Sequence, residues 1–386
     1  MNLSFQHLMA ESTRLTRAGD LHGATAAIKA ALGGAAAPSG PAGPARTAMG
    51  DHIDVIDVEA REIVTDDLID NVADDAAAPA RPAAAPSTAG AGAGAGKFIA
   101  GSFTDSNGTR DYKLYIPPGV GDRKLPLVVL LHGCTQNPDD FAAGTGMNDA
   151  ARERGFYVLY PAQTRKANTS RCWNWFKHNH QQRGRGEPAL LAGMTRDVIG
   201  RHAIDPLRVY VAGLSAGGAM AAILGDAYPD LFAAVGVHSG LPTGSARDVA
   251  SAMAAMKGSA TVVATAAHTP PTIVFHGDQD TTVHPANGER VVAAGVAARW
   301  VARVGEQPGA ATPEIERGRS NNGREFTRCI YRGAHDAVVA EHWTVHGAGH
   351  AWSGGRASGS YTDPKGPDAT AEMLRFFYVH SLHKAT

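Results

Sequence analysis

The sequence predicts an α/β fold, with a mostly parallel central sheet covered by helices on both faces. Three observations predict it. Short apolar, β-favouring runs alternate with helix-like stretches along most of the 386-residue chain, the pattern that produces parallel sheets buried on both sides. One such run, Val209-Tyr210-Val211-Ala212, leads into Gly213-Leu214-Ser215-Ala216-Gly217 and then into small residues suited to a helix. An acidic loop and a histidine-bearing loop follow later, each just beyond a further apolar run.

Taken in order, residues 1–35 read as an amphipathic helical segment, with Leu8, Leu15, Leu21, Ile28 and Leu32 recurring mostly at helical spacing. Such a segment either covers an apolar patch of the main domain or docks on a partner or a hydrophobic particle. Residues 36–96 are rich in Ala, Pro and Gly around an acidic stretch, and read as a flexible linker. The main domain is expected over 97–386. It opens with a hairpin between Phe98 and Pro117 around Asn107-Gly108, a tight-turn pair. Strands are then expected at Leu127–Leu131, Phe156–Tyr160, Val209–Ala212, Phe232–His238, Thr272–His276 and Ala340–Val345. Helices are expected between and after them, at Asp139–Arg154, Ala189–His202, Ala219–Tyr228, Ala246–Met256, Gly288–Val304 and Asp368–His380.

Composition narrows the function classes. A formal net charge of −1 supplies no basic field for nucleic acid. No run approaches the ~18 apolar residues of a membrane span, so no transmembrane helix is expected. The N-terminus lacks the basic and apolar regions of an export signal, and the expected location is cytoplasmic. The three cysteines, Cys134, Cys172 and Cys329, form no CxxC pair and no Cys/His cluster, so no metal site is expected.

The chemistry centres on Ser215. Gly-x-Ser-x-Gly between a strand and a helix is the form of a nucleophile elbow, a turn in which the flanking positions must be small. Serine is a weak nucleophile and needs an imidazole held by a carboxylate. After the elbow, His276-Gly277-Asp278-Gln279-Asp280 offers two acids, of which Asp280 is preferred over Asp278. His346-Gly347-Ala348-Gly349-His350 offers two bases, of which His350 is preferred over His346. An oxyanion hole needs two backbone N–H groups, here expected from Ala216, which follows the serine, and from Cys134 in the Leu131-His132-Gly133-Cys134-Thr135-Gln136 loop. His132 reads as a scaffold residue. Trp173, Asn174, Trp352 and Gln136 are candidate substrate-wall residues on loops near the site.

Five stretches together, Leu131-His132-Gly133-Cys134-Thr135-Gln136, Cys172-Trp173-Asn174-Trp175, Gly213-Leu214-Ser215-Ala216-Gly217-Gly218, His276-Gly277-Asp278-Gln279-Asp280 and Gly349-His350-Ala351-Trp352-Ser353-Gly354-Gly355, resemble the poly(3-hydroxybutyrate) depolymerase family of esterases from about Lys97 onward. Feruloyl and acetylxylan esterases are more distant relatives. The resemblance implies an α/β-hydrolase fold, a Ser215/Asp280/His350 triad and hydrolysis of carboxylic esters without a cofactor. The implied substrate is 3-hydroxybutyrate polymer or oligomer, with feruloyl- or acetyl-type esters of small molecules or carbohydrates as the alternative. A non-catalytic granule- or partner-binding protein is the alternative of another class. Residues 1–35 lie outside the resemblance and are the candidate segment for association with polymer granules. The resemblance also implies a disulfide between Cys134 and Cys172, with two free thiols as the other outcome. Secreted members make an extracellular location the alternative to a cytoplasmic one. The sequence does not fix an oligomeric state.

Overall fold

The computed structural model describes residues 94–259, 269–304, 312–321, 323–333 and 336–382. The expected helical segment 1–35, with its granule-docking role, and nearly all of the linker 36–96 therefore lie outside the described residues.

The domain is built on a ten-stranded sheet of order β1-β2-β4-β3-β5-β6-β7-β10-β9-β8. Its strands are β1 (Lys97–Asp105), β2 (Gly108–Ile116), β3 (Leu125–Leu131), β4 (Tyr157–Pro161), β5 (Ile204–Leu214), β6 (Ala234–His238), β7 (Thr272–Gly277), β8 (Glu314–Arg319), β9 (Glu325–Arg332) and β10 (Val338–Val345). β1 and β2 pair antiparallel, with Asp105 opposite Gly108, so the turn residues are Ser106 and Asn107, one position before the Asn107-Gly108 pair expected. From β4 through β3, β5, β6 and β7 to β10 every pair is parallel. Every residue of β3, β4, β6 and β7 is buried, as strands sandwiched between helices must be.

The helices are α1 (Pro138–Thr145), α2 (Met147–Arg154), α3 (Gly186–Arg201), α4 (Ala216–Ala227), α5 (Val249–Ala254), α6 (Ala286–Val304) and α7 (Ala369–Tyr378). The single helix expected over Asp139–Arg154 is two, because Gly146 adopts a left-handed conformation that ends α1 and starts α2. Alternation along β3 sorts the core into two layers. Leu127, Val129 and Leu131 pack with residues of α3, α4 and α6, whereas Val128 and Leu130 pack with Phe141 of α1, Met147 of α2 and Phe377 of α7. A short parallel pair, β11 (Trp352–Ser353) and β12 (Thr362–Asp363), closes the loop after β10.

The sequence reading lacked β8 and β9. They form an antiparallel hairpin on the outer side of β10. β8 reads Glu-Ile-Glu-Arg-Gly-Arg and is almost wholly exposed. An edge strand blunted by charge carries little apolar alternation, so its pattern resembles a loop. The shared fold is otherwise the one expected, with the C-terminal ends of β3, β5, β7 and β10 converging on one edge of the sheet. That is where open α/β sheets present their sites.

Candidate active site

β5 ends at Leu214 and α4 begins at Ala216, so Ser215 makes the whole turn between strand and helix. Its φ of 57° and ψ of −121° lie in a strained region for a residue with a side chain. Two contacts hold it there. The Ser215 N–H donates to His238 O at the end of β6 (2.8 Å), and Ser215 O accepts from Ala219 N (2.9 Å). The turn closes only because its neighbours are glycine. A Cβ on Gly213 would lie 2.4 Å from the backbone of Gly217, and one on Gly217 would lie 2.1 Å from Leu131 O.

The loop after β7 carries Asp280, and the loop after β10 carries His350. The two loops run side by side. Asp278 N donates to Val345 O (3.1 Å) and Gln279 N to Ala348 O (3.0 Å). Asp278 pins them with its side chain, which accepts from His346 Nδ1 (2.9 Å) and from Gly347 N (2.7 Å). The two acids and two imidazoles left open by the sequence are thus paired off: Asp278 with His346, and Asp280 with His350 at 2.7 Å from Oδ2 to Nδ1. Asp280 is buried, and its other oxygen accepts from Thr282 N (2.9 Å) and Val283 N (2.8 Å). Burial alone raises the carboxyl pKa, but the N–H groups of His276 and His350 outweigh it and hold Asp280 well below the ordinary carboxylate range. Asp280 is a fixed anion at Nδ1 of His350, which leaves Nε2 free to exchange a proton.

Two further imidazoles sit beneath this edge. Burial, together with nearby His276 and His350, lowers the pKa of His238 to about 3. Its ring stacks on Phe275 and Trp352, and its Nε2 accepts from Ser353 N (2.9 Å). Burial also lowers His132 to about 4. His132 Nδ1 lies 2.7 Å from Gly133 O, a pure acceptor, so that nitrogen carries the proton, and Nε2 accepts from Gln163 N (3.1 Å). His132 is a neutral scaffold residue, as the sequence reading had it.

The loop after β3 brings Cys134 beside the serine. Gly133 N–H is already donated to Gln136 Oε1 (2.9 Å), so Gly133 is not available as a donor there. The loop is tied to the Cys172-Trp173-Asn174-Trp175 segment by a Cys134–Cys172 disulfide with a 2.04 Å S–S bond. Thr135 N donating to Ser170 O and Trp173 Nε1 donating to His132 O (3.1 Å) complete the tether. Cys134, Ala216, Ser215 and His350 all border one cleft of about 220 Å³.

The cleft wall departs from the sequence expectation. Trp173 and Trp352 are fully buried and do not border it. Trp352 packs edge-on to Phe141 and donates Nε1 to Thr370 Oγ1 (3.1 Å). Asn174 is buried as well, with its N and Nδ2 both donated to Glu187 (2.7 and 2.8 Å). Gln136 does border the cleft, but its Oε1 holds Gly133 and its Nε2 donates to Asp140 and Ser360. The wall instead combines apolar side chains, among them Trp175, Phe176, Leu241, Val249, Met253 and Met256, with the polar Thr135, Asn168, Ser170 and Tyr361. α5, which supplies Val249 and Met253, was legible as a helix, but nothing in its sequence said that it faces the site.

Sequence reasoning also missed Glu187. This buried carboxylate at the start of α3 accepts from Asn174, from Gln163 Nε2 (2.5 Å) and from Arg110 Nη2 (3.3 Å). Gln163 also donates to Cys172 O (3.0 Å), so one carboxylate anchors the segment that tethers the Cys134 loop. Its only sequence signal was an acid inside an otherwise apolar helix face.

Residues 110–299 match the family model described as "Esterase PHB depolymerase". Over these residues, just under half of the chain, it is similar to that esterase family. Among curated relatives it is similar to poly(3-hydroxyalkanoate) depolymerase C of Paucimonas lemoignei, 30% identical over 262 residues that cover 64% of this chain and 60% of that protein. It is also similar to feruloyl esterase B of Thermothelomyces thermophilus, 32% identical over 151 residues that cover 39% of this chain and 50% of that protein. The chain thus spans about 60% of the length of the first relative and half of the second. Among solved structures, an acetyl xylan esterase from Aspergillus awamori superimposes with a TM-score of 0.56 at 19% identity, over 72% of this chain and 99% of that one. This likeness shows the α/β-hydrolase fold. Among the described residues no group of three or more His, Cys, Asp or Glu is set to hold a metal ion, and no helix is long and apolar enough to cross a membrane.

Proposed function

We propose that the chain is a serine carboxylic ester hydrolase acting through Ser215, His350 and Asp280. The observation that carries this reading is the strained Ser215 turn opening on the same cleft as His350, whose far nitrogen is held by a buried, ionised Asp280. In this mechanism His350 Nε2 takes the Ser215 proton as Oγ attacks the ester carbonyl. The N–H groups of Cys134 and Ala216 receive the developing oxyanion, where preorganised donors lower the barrier most. The imidazolium, stabilised by Asp280, protonates the leaving alkoxide. His350 then activates a water that cleaves the acyl-enzyme and frees Ser215.

The substrate we infer is a 3-hydroxybutyrate polymer or its oligomers. The family-model match and the name of the Paucimonas lemoignei relative support it. A cleft lined by both apolar and polar side chains also suits a short acyl unit that carries a methyl branch and a second ester. The feruloyl- or acetyl-ester reading draws on the name of the Thermothelomyces thermophilus relative. The Cys134–Cys172 bond supports an oxidising location outside the cytoplasm, because such bonds persist where thiols are not kept reduced.

The test is labelling with a fluorophosphonate probe and turnover of p-nitrophenyl butyrate, amorphous polyhydroxybutyrate, hydroxybutyrate oligomers and methyl ferulate. Ser215→Ala is expected to abolish labelling and all turnover while the thermal melt is kept. Wild-type-like turnover in Ser215→Ala would remove the mechanism, and turnover of methyl ferulate without hydroxybutyrate esters would move the substrate to the other class.

A further inference from the structure

The stretch that supplies Asp280 also holds a histidine that the proposed chemistry does not use. His276 is the penultimate residue of β7 and is buried. Its Nε2 lies 2.8 Å from Val283 O, and because a carbonyl oxygen only accepts, the ring proton sits on Nε2. The same nitrogen is 3.4 Å from Asp280 Oδ2, the oxygen that holds His350. Val283 in turn donates its N–H to the other oxygen of Asp280. One ring proton therefore faces both the carboxylate and the carbonyl of the loop that carries it.

The opposite edge of the ring is unsupported. His276 Nδ1 is buried and has no hydrogen-bond partner among the described residues, and neither has Nε2 of His342 on the adjacent strand. Gly288, in the first turn of α6, lies directly over both. A Cβ there would come within 2.8 Å of His276 Nδ1 and 3.1 Å of His342 Nε2. A buried nitrogen without a partner disfavours folding relative to an apolar ring of similar shape. Packing alone therefore does not account for an imidazole here, whereas an N–H aimed at the Asp280 loop does.

We propose that His276 is a positioning residue for the site: its Nε2–H braces the Asp280–Val283 loop and lends a second N–H to the carboxylate oxygen that orients His350. The proposal rests on the reading of Asp280 and His350 as acid and base. His276→Phe keeps a planar ring and removes the N–H, His276→Gln returns an N–H near the position of Nε2, and Gly288→Ala presses a methyl on the ring without changing its chemistry. On p-nitrophenyl butyrate, His276→Phe is expected to lower kcat by about 10- to 100-fold with KM within about twofold, because a carboxylate displaced by even ~1 Å misaligns the base while the cleft is untouched. His276→Gln is expected to recover kcat to within about fivefold of wild type, and Gly288→Ala to fall between the two. Thermal melts show which variants are folded, and if His276→Phe is not, the Gln and Gly288→Ala kinetics decide. Wild-type kcat in folded His276→Phe or in Gly288→Ala overturns the proposal, as does a Gln variant no better than the Phe variant. If wild type neither turns over esters nor reacts with the fluorophosphonate probe, the serine-esterase reading fails instead, and the two failures are distinct.

Discussion

Gly217 is the position where one methyl group tests the architecture most directly. A Cβ built there lies 2.1 Å from Leu131 O and 2.6 Å from His132 O, both backbone atoms at the end of β3. Ordinary contact needs more than 3 Å, so the Leu131-His132-Gly133-Cys134 backbone must withdraw from α4 by about 1 Å, or α4 must tilt away from the sheet. Neither is a side-chain adjustment, and overpacking of this kind destabilises by about 1–3 kcal/mol. The movement carries Cys134 N–H away from Ser215, while Ala216 N–H moves with the helix. Loss of one oxyanion donor costs roughly 10²–10³-fold in kcat. Gly217→Ala is therefore expected to unfold at a lower temperature and to lose about two orders of magnitude or more in kcat/KM on p-nitrophenyl butyrate, with slower fluorophosphonate labelling. Gly200→Ala is the matched control. It lies on the exposed side of α3, its Cβ meets nothing within 4 Å, and it is expected to leave activity unchanged. A Gly217→Ala protein with wild-type melting temperature and kcat/KM would refute the close approach of β3 and α4 on which the oxyanion assignment depends.

Two other outcomes follow from buried polar groups. His132, with its pKa lowered to about 4 against an ordinary 6.5, stays neutral in the fold while the unfolded chain takes up a proton. Stability is then full above pH 6.5 and falls as the pH drops from 6.5 toward 4, by about 3 kcal/mol for this residue alone. Urea unfolding at pH 7, 6 and 5 should show the midpoint falling steadily, and a flat profile would contradict a neutral, buried His132. Glu187→Gln replaces an acceptor of several N–H groups by an amide that cannot accept them all. It should lower stability by about 2–3 kcal/mol and reduce kcat through the tethered Cys134 loop, and an unchanged melt would mean that Glu187 anchors nothing.

What the sequence disclosed and what it withheld divide along a physical line. The strands from β3 to β7 were legible because a strand buried on both faces must be apolar along its whole length, and that pattern is local. Ser215 was legible because its turn admits only small neighbours, which are written into adjacent positions. The walls of the cleft were not. Whether Trp352 faces substrate or core depends on which side of its loop turns inward, and that is decided by Phe141, His238 and Thr370, far away in the chain. Glu187 and His276 were hidden for a similar reason. A polar residue in an apolar run reads as a defect until its partners from other segments are known.

The choice between Asp278 and Asp280 shows how geometry turns composition into roles. Both acids lie on one short loop, both pair with an imidazole from the neighbouring loop, and the two pairings use the same carboxylate-to-Nδ1 contact. Their surroundings separate them. Asp278 and His346 are each partly open to solvent, and the far nitrogen of His346 is occupied by Thr327 Oγ1 at 2.9 Å on an outer strand, away from the cleft. Asp280 is buried with both oxygens filled by N–H groups, and His350 borders the cleft with Ser215. An ion pair in water stabilises a charge weakly, whereas a desolvated carboxylate with fixed donors holds its charge and its direction. The first pair therefore serves as the clamp that keeps the two loops in register, and the second inherits the proton chemistry because that clamp places it at the cleft.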